Sequence, residues 1–499
     1  MSALFLAADE PFTDSGNTAW VLAAAALVLF MTPGLALFYG GMVRTKSVLN
    51  MMMMSFITMG TVGVTWVLWG YSEAFGSDVG GGLLGNPFEY FGLRGVYDKI
   101  LGFTPADAAT GAAASGGIPA AAFVAFQVVF AIIAVALVSG AVADRAKFSA
   151  WIVFTVVWAT LVYYPAAHWV FGFNDYAASG NGGFIANSDP VDGGGSLLFG
   201  GVGAYDFAGG TAIHINAGVA GLALVLVLGK RIGFKKDPMR PHNLTLVMIG
   251  AGILWFGWFG FNAGSALSAG TLAAGVWVNT LGATAAAMLG WLVTEKFRDG
   301  HATSLGAASG VVAGLVAITP ACATVDPIGA LIVGLAAGVA CALAVGLKFR
   351  FGYDDSLDVV GVHLVGGLVG TLLIGLLAST GSPTGAGTNP GLLYGGGLSQ
   401  LGAQAVGAFF VLIYSFVVTF AIGFVIHKTM GFRISEEDEV SGIDLAEHAE
   451  TAYDLVSLGG SRTGAFSPGT HRAPGVPAGS PTTPTSPTSP TTAKEGAQA

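Results

Sequence analysis

The chain alternates long apolar runs with short polar connections. A helix rising 1.5 Å per residue needs about 20 apolar residues to cross a hydrocarbon core of about 30 Å. Eleven stretches qualify, at residues 19–42, 49–71, 118–142, 148–170, 207–229, 244–263, 271–294, 302–320, 327–349, 358–380 and 401–428. A transmembrane β-barrel would instead show alternating segments of about ten residues. The pattern predicts an all-α polytopic membrane protein with eleven transmembrane helices. It divides the chain into an N-terminal tail (1–18), a membrane domain (19–430), an acidic segment (431–458) and a Pro/Thr/Ser-rich tail (459–499), which is expected to be disordered.

The connections carry the orientation signal. Connections 1–2, 3–4, 5–6, 7–8 and 9–10, with the C-terminal region, hold all Lys and Arg residues except Arg94 and Lys99. The positive-inside rule puts the C-terminus in the cytoplasm and the N-terminus outside, which requires an odd number of spans. Met1 to Asn17 lacks the basic start and long apolar core of a signal peptide, so a short outer tail is expected.

Composition narrows the class. Hydrophobic residues make up 53% of the chain and charged residues 10%, against about a quarter charged in soluble domains. This excludes a large soluble enzyme, and disorder over most of the length. Glycine supplies 77 of 499 residues, and in lipid small residues let helix backbones approach closely. Gly306, Gly310 and Gly314, then Gly334 and Gly338, repeat at four-residue spacing and predict packing faces. The net charge of −9 lies mainly beyond residue 433. No basic patch points to nucleic acid. Cys322 and Cys341 fall at different depths and are not expected to pair. His boxes, a nucleophile elbow and a metal-ligand cluster are all missing from the sequence, so neither an enzyme nor a bound metal or cofactor is expected.

One motif occurs twice. His214 is followed by Gly218 and Gly221, and His363 by Gly367 and Gly370, both reading H-x-x-x-G-x-x-G. Aspartates precede them, Asp206 and Asp358, each with the chemistry to cap its helix; Asp354 and Asp355 beside Asp358 read as a solvated inner loop. Span five and span ten run in opposite directions, so the repeat predicts an inverted 5+5 architecture plus one C-terminal helix, with function near the midplane. Ionisable residues inside a membrane are costly and point to function. His168 and His427 lie near span ends and read as interfacial. His214 and His363 are deeper; neutral imidazole both donates and accepts hydrogen bonds, so two in line can pass a polar molecule or a proton. Towards the outer half, Phe126 and Phe130 share a face of span three, Trp169 and Phe171 end span four, and W-F-G-F-N-A-G-S (Trp258 to Ser265) ends span six. Aromatic faces attract cations.

Several of these motifs together resemble the ammonium transporter family (Amt/Mep, related to the Rh proteins). They are P-G-L-A-L-F-Y-G-G (Pro33 to Gly41), A-F-Q (Ala125 to Gln127), D-F-A-G-G-T-A-I-H-I-N-A-G-V-A-G (Asp206 to Gly221), W-F-G-F-N-A-G-S, and D-V-V-G-V-H-L-V-G-G (Asp358 to Gly367), in the expected order. The resemblance implies eleven spans and a homotrimer with one pore per subunit. It implies that His214 and His363 are twin pore histidines, Phe130 and Phe261 a stacked outer gate, and Ser265 and Phe126 parts of an ammonium recruitment site, with Asp206 structural beside it. The family commonly has a tryptophan where this chain has Phe171, with Trp169 two residues earlier as a candidate substitute. Phenylalanine is the weaker cation–π partner.

The implied activity is ammonium transport across the cytoplasmic membrane. Ammonium would be captured outside and deprotonated, and ammonia conducted through an apolar pore past the histidines. An Rh-like neutral ammonia channel is the nearest alternative. An ammonium sensor is another, and the length after span eleven leaves little room for a signalling domain. The acidic segment Ile434 to Tyr453 resembles the family's cytoplasmic tail, which docks PII regulatory proteins; a solvated tail is the plainer reading.

Overall fold

The computed structural model describes residues 10–106, 113–172, 183–185, 203–385 and 388–453. The start of the N-terminal tail and the predicted disordered tail from 459 onward lie outside the described residues. Among the described residues, ten helical segments are long and apolar enough to cross a membrane. They are Ser15–Met42, Val48–Phe75, Ala120–Val142, Phe148–Phe171, Gly210–Leu228, Leu244–Gly264, Thr271–Asp299, Pro327–Phe351, Val360–Leu377 and Ser399–Thr429. Each overlaps a predicted span. The predicted span 302–320 corresponds to a shorter apolar helix, Ser304–Ile318. Its residues from Gly306 to Ile318 are almost all buried by protein, so it is sheltered by neighbouring helices rather than by lipid. We keep the numbering one to eleven, with Ser304–Ile318 as helix eight. A two-stranded hairpin, Ile100–Leu101 with Ile118–Pro119, lies in the connection between spans two and three.

Glycines set the helix spacing. A Cβ at Gly314 would stand 2.8 Å from Thr284 Cα, and one at Gly310 would stand 2.9 Å from Met288 Cα. Gly334 and Gly338 meet the carbonyls of Ala283 and Ala287 in the same way. Span seven is therefore gripped from two sides through the packing faces that the spacing predicted. Cys322 and Cys341 are buried and unpaired with each other.

Spans five and ten are each opened by a π-helical turn, Gly210–Ile215 and Val360–Leu364, which carries the histidine. π-turns inside α-helices concentrate at functional sites. A Cβ on Gly218 would lie 2.7 Å from Leu364 Cα; one on Gly367 would lie 3.2 Å from the Ile215 nitrogen. Each glycine, four residues after its histidine, thus receives the residue that follows the other histidine. Gly221 reaches Val359 while Gly367 reaches Gly210, so the two helices cross antiparallel. This reciprocity is a local two-fold relation between spans five and ten.

The repeat extends upstream, with one correction. Asp206 caps its helix by accepting the N–H groups of Gly209, Gly210, Thr211 and Ala212 at 2.6–3.0 Å. The equivalent cap before His363 is Asp355, which accepts from Val359 and Val360. It is not Asp358, whose carboxylate pairs with Lys348 at 2.7 Å. Asp206 and Asp355 each stand eight residues before their histidine. The residue three after each cap, Gly209 (φ 115) or Asp358 (φ 64), takes the left-handed conformation that turns the chain into the helix. Asp354 and Asp355, read from sequence as a solvated loop, are both buried.

These aspartates belong to a charged layer on the basic face. Arg231 donates to Asp354 through Nε and Nη2 and to Asp144 through Nη1 at 2.8 Å. Arg44 approaches Asp144 at 3.6 Å. Arg145 donates to the Asp354 carbonyl and to Ser356 Oγ. Connections 1–2, 3–4, 5–6 and 9–10 are thereby joined. Burial pushes the Asp144 and Asp354 carboxyls up, and the neighbouring guanidinium groups, Arg231 foremost, more than offset this and hold them below the usual carboxylate range.

The acidic segment is not a free tail where the structure describes it. Its strand-like start pairs with connection 3–4, Lys147 N–H donating to Phe432 O and Ile434 N–H to Arg145 O. Glu439 accepts from Ile232 N–H and Arg433, Asp444 accepts from Leu49 and Asn50 N–H, and Glu447 accepts from Phe148 N–H. Three carboxylates thus serve backbone donors on three connections, two of them at helix starts, where anions are favoured.

Arg231→Met leaves two buried carboxylates without their main partner, which costs about 3–5 kcal/mol. The expected outcome is a clear drop in melting temperature of the purified protein at neutral pH. The ion-paired carboxylates contribute stability above their unfolded pKa, and that contribution fades as pH falls through their lowered values. The gap between variant and wild type should therefore narrow in acid. An unchanged melting temperature at neutral pH would overturn this account.

Candidate functional site

Span three presents Phe123, Phe126, Gln127 and Phe130 along one helical face. With Phe171 from span four, Phe207 and Ala208 before span five, and Ser265 and Leu267 at the end of span six, they enclose a small cavity of about 30 Å3. That is the share of liquid volume taken by one water. Of the residues predicted for recruitment, Phe126, Phe171 and Ser265 meet here. Trp169 does not. Its indole N–H donates to Leu83 O at 2.6 Å, and its ring packs against Phe184, Phe410 and Tyr414. Two residues along a helix separate side chains by about 200°, so Trp169 and Phe171 face opposite ways.

The cavity is aromatic with few polar atoms. Ser265 Oγ donates to the Phe261 carbonyl at 2.8 Å, which leaves its lone pairs for a donor in the cavity. Asp206 lies beside Phe207, but its oxygens are occupied by four backbone N–H groups. An occupant therefore meets aromatic faces, one hydroxyl and the Gln127 amide.

Phe130 closes the cavity on the inner side. Its ring lies 4.7 Å from that of Phe126 and 4.4 Å from that of Phe261. Beyond this pair stands His214, stacked on Phe261 at 6.0 Å and on Trp258 at 5.4 Å. His363 follows, its ring centroid 5.4 Å from that of His214 and its Nδ1 3.4 Å from His214 Nδ1. Both rings are buried, and His214 Nε2 has no protein partner. The predicted gate pair and histidine pair thus form one file leading from the cavity.

Trp258 was grouped in the sequence with the outer aromatics; it stands instead beside His214. Its indole N–H donates to Thr319 Oγ1 at 2.8 Å, Thr319 lies 3.3 Å from Asn262 Oδ1, and Asn262 Nδ2 donates to Thr280 Oγ1 at 3.0 Å. This buried polar chain fixes the plane against which His214 stacks. His168, read as interfacial, is fully buried. Its ring nitrogens lie 3.0 Å from the Ala74 carbonyl and 3.3 Å from Asp78, tying span four to span two.

Phe123, Gln127, Phe207, Ala208 and Leu267 were not assigned to the site from the sequence, although Gln127, Phe207 and Ala208 fall within the quoted motifs. The first two carried a signal, since they continue the face of Phe126 and Phe130. Leu267 carried none: its place depends on a left-handed turn (φ 54) after span six.

The model of the Ammonium Transporter Family matches residues 19–453. An ammonium transporter of Mycobacterium tuberculosis is 58% identical over 456 residues, covering 90% of this chain and 92% of the relative. One from Aquifex aeolicus is 46% identical over 453 residues, covering 90% and 96%. Among solved structures, Saccharomyces cerevisiae Mep2 aligns with a TM-score of 0.73 at 32% identity, covering 85% of this chain and 88% of that one. A structure titled Sensor Amt Protein aligns at 0.72 and 27% identity, covering 87% and 98%.

Asp206 is expected to hold the site's shape. Asp206→Ala strands four buried N–H donors, each costing about 1–3 kcal/mol, and should prevent recovery of a folded protein. Asp206→Asn keeps one acceptor oxygen and should give an intermediate melting temperature. Wild-type stability in both variants would remove this role.

Proposed function

The chain belongs to the ammonium transporter family, and from that premise we propose that it takes up ammonium at the Phe126–Phe171–Ser265 cavity and conducts ammonia past His214 and His363. The observation that carries the reading is the unbroken file of cavity, Phe130–Phe261 pair and histidine pair. An ammonium ion in the cavity can lie against aromatic faces and donate to Ser265 Oγ. Among the described residues, no carboxylate or carbonyl ring replaces its water beyond Phe130. Moving a bare ion into such surroundings costs of order 20 kcal/mol in the idealised limit, whereas a neutral polar molecule costs about 2–7 kcal/mol before any hydrogen bond. Loss of a proton before the file makes the crossing feasible.

The histidine pair then supplies the hydrogen bonds. With Nδ1 facing Nδ1 at 3.4 Å, one ring donates and the other accepts. Their Nε2 atoms are left with opposite roles, one an acceptor and one a donor. Ammonia both donates and accepts, so it can be handed from one ring to the next. The unpartnered Nε2 of His214 is the first position such a molecule would meet. Phe171, in place of a tryptophan, gives weaker cation capture than an indole would.

The basic face is read as cytoplasmic, in keeping with the positive-inside rule, and the membrane as the plasma membrane. Assembly as a homotrimer follows from the family resemblance. So does docking of a PII protein on the acidic segment. The buried acids of that segment are already taken by the chain's own N–H groups, so the surface for a partner comprises the exposed Glu436, Glu437, Val440 and Leu445.

His214→Leu and His363→Leu each remove a hydrogen-bonding ring from the file, a loss of about 1–3 kcal/mol. Ammonium uptake by proteoliposomes should fall roughly tenfold, or the selectivity of the ammonium-evoked current should change. Unaltered current and uptake in both variants would sink the role of the pair. In the wild type, uptake without net current would favour a neutral channel over an electrogenic transporter. For the partner, reversing charge with Glu436→Lys and Glu437→Lys should abolish capture of a PII protein. Undiminished capture would exclude this surface.

A further inference from the structure

On the basic face, away from the file, the connection between spans five and six and the end of span nine enclose a second cavity of about 570 Å3. This is within the range of small-molecule sites. Its walls include Phe234, Lys235, Lys236, Asp237, Lys348 and Phe349. Phe234 and Phe349 stack at 5.9 Å with ring planes 12° apart, giving one flat apolar wall.

The charges here divide into two sets. Lys348 is committed to Asp358, and Arg231 to Asp144 and Asp354. Lys230, Lys235 and Lys236 are exposed, and among the described residues none of their ammonium groups has an ion pair or hydrogen bond, although that of Lys235 lies 6.0 Å from the Phe234 ring centroid. Asp237 supplies one opposing charge. The lysines are not splayed apart as mutual repulsion would dictate. The ammonium nitrogens of Lys230 and Lys235 each stand 3.7 Å from the point a Cβ on Gly352 would occupy, so they are at most twice that distance apart. Lys235 is held there by a left-handed backbone (φ 66), a conformation uncommon for a residue with a side chain. Like charges gathered over a cavity make a site for an anion.

We propose that this cavity binds a phosphate group, with Lys235 and Lys236 of its wall as cationic ligands, Lys230 adding positive charge beside Lys235, and Phe234–Phe349 supporting the apolar part of the molecule that bears it. The phosphate chemistry is common to a soluble phosphorylated metabolite and to an anionic lipid headgroup at the membrane surface. The inference is independent of the transport reading, because none of these residues lies on the file.

The test uses the full chain in nanodiscs of phosphatidylcholine, titrated with inorganic pyrophosphate by calorimetry. Saturable binding with one site per chain is expected, weakening about tenfold in the double variant Lys235→Gln/Lys236→Gln and weakening further with added salt. Replacing part of the lipid with phosphatidylglycerol separates the sources. If pyrophosphate affinity falls, a lipid headgroup competes for the pocket; if it is unchanged, the ligand is soluble. Both outcomes support a phosphate site. Absence of saturable binding, or equal affinity in the double variant, overturns it. Ammonium-evoked current in the double variant should match wild type, which keeps this result separate from the transport reading.

Discussion

The architecture depends on how closely two helix backbones can approach. Spans five and ten meet through Gly218 against Leu364 and Gly367 against Ile215; a side chain at Gly218 collides with the Leu364 backbone, and one at Gly367 crowds Ile215. Because the contact is reciprocal, it sets both the distance between the two histidines and their relative orientation. A methyl group at Gly218 would push the two helices apart and disturb the Nδ1–Nδ1 approach. Other parts of the site serve this crossing. The π-turns aim the rings, and Asp206 and Asp355 satisfy the backbone donors that irregular helix starts leave unpaired in a place with little water.

The rest of the file is held with similar economy. Phe130 and Phe261 come from spans three and six, and glycines let span six lie close against span one. Gly257 and Gly260 face Met31 and Leu27 there. Trp258 is kept flat by hydroxyl and amide groups from spans six, seven and helix eight, all buried and mutually bonded. Apolar surroundings strengthen such bonds and penalise a missing one. The polar groups near the file are therefore mostly consumed in structure, and the two histidines, Ser265 and Gln127 are the polar side chains left along it.

Much of this was legible in the sequence because the bilayer imposes a simple rule. Apolar run length gave the spans to within a few residues, and loop charge gave their alternation. The twin histidines stood out because ionisable residues are rare in such runs. The failures share one cause: they concern places where local pattern does not determine side-chain direction. Asp358 was the natural cap by proximity to the helix, yet the left-handed turn at that residue hands the role to Asp355. Asp354 and Asp355 resembled a solvated loop because three acids stood together; the arginines that partner Asp354 come from distant connections, and Asp355 turns inward to cap its own helix. Trp169 is adjacent to the cavity in sequence and faces away from it by helical geometry. Helix eight read as an ordinary span, although its environment is protein.

The acidic segment near the C-terminus has a consequence for how the molecule is made. Glu439, Asp444 and Glu447 each need a donor from a different connection, and all three connections must emerge on one face for the segment to settle. These residues follow the last span in the sequence, so they leave the ribosome after every span. Docking of the segment thus latches connections 1–2, 3–4 and 5–6 together only once the whole membrane domain has been synthesised.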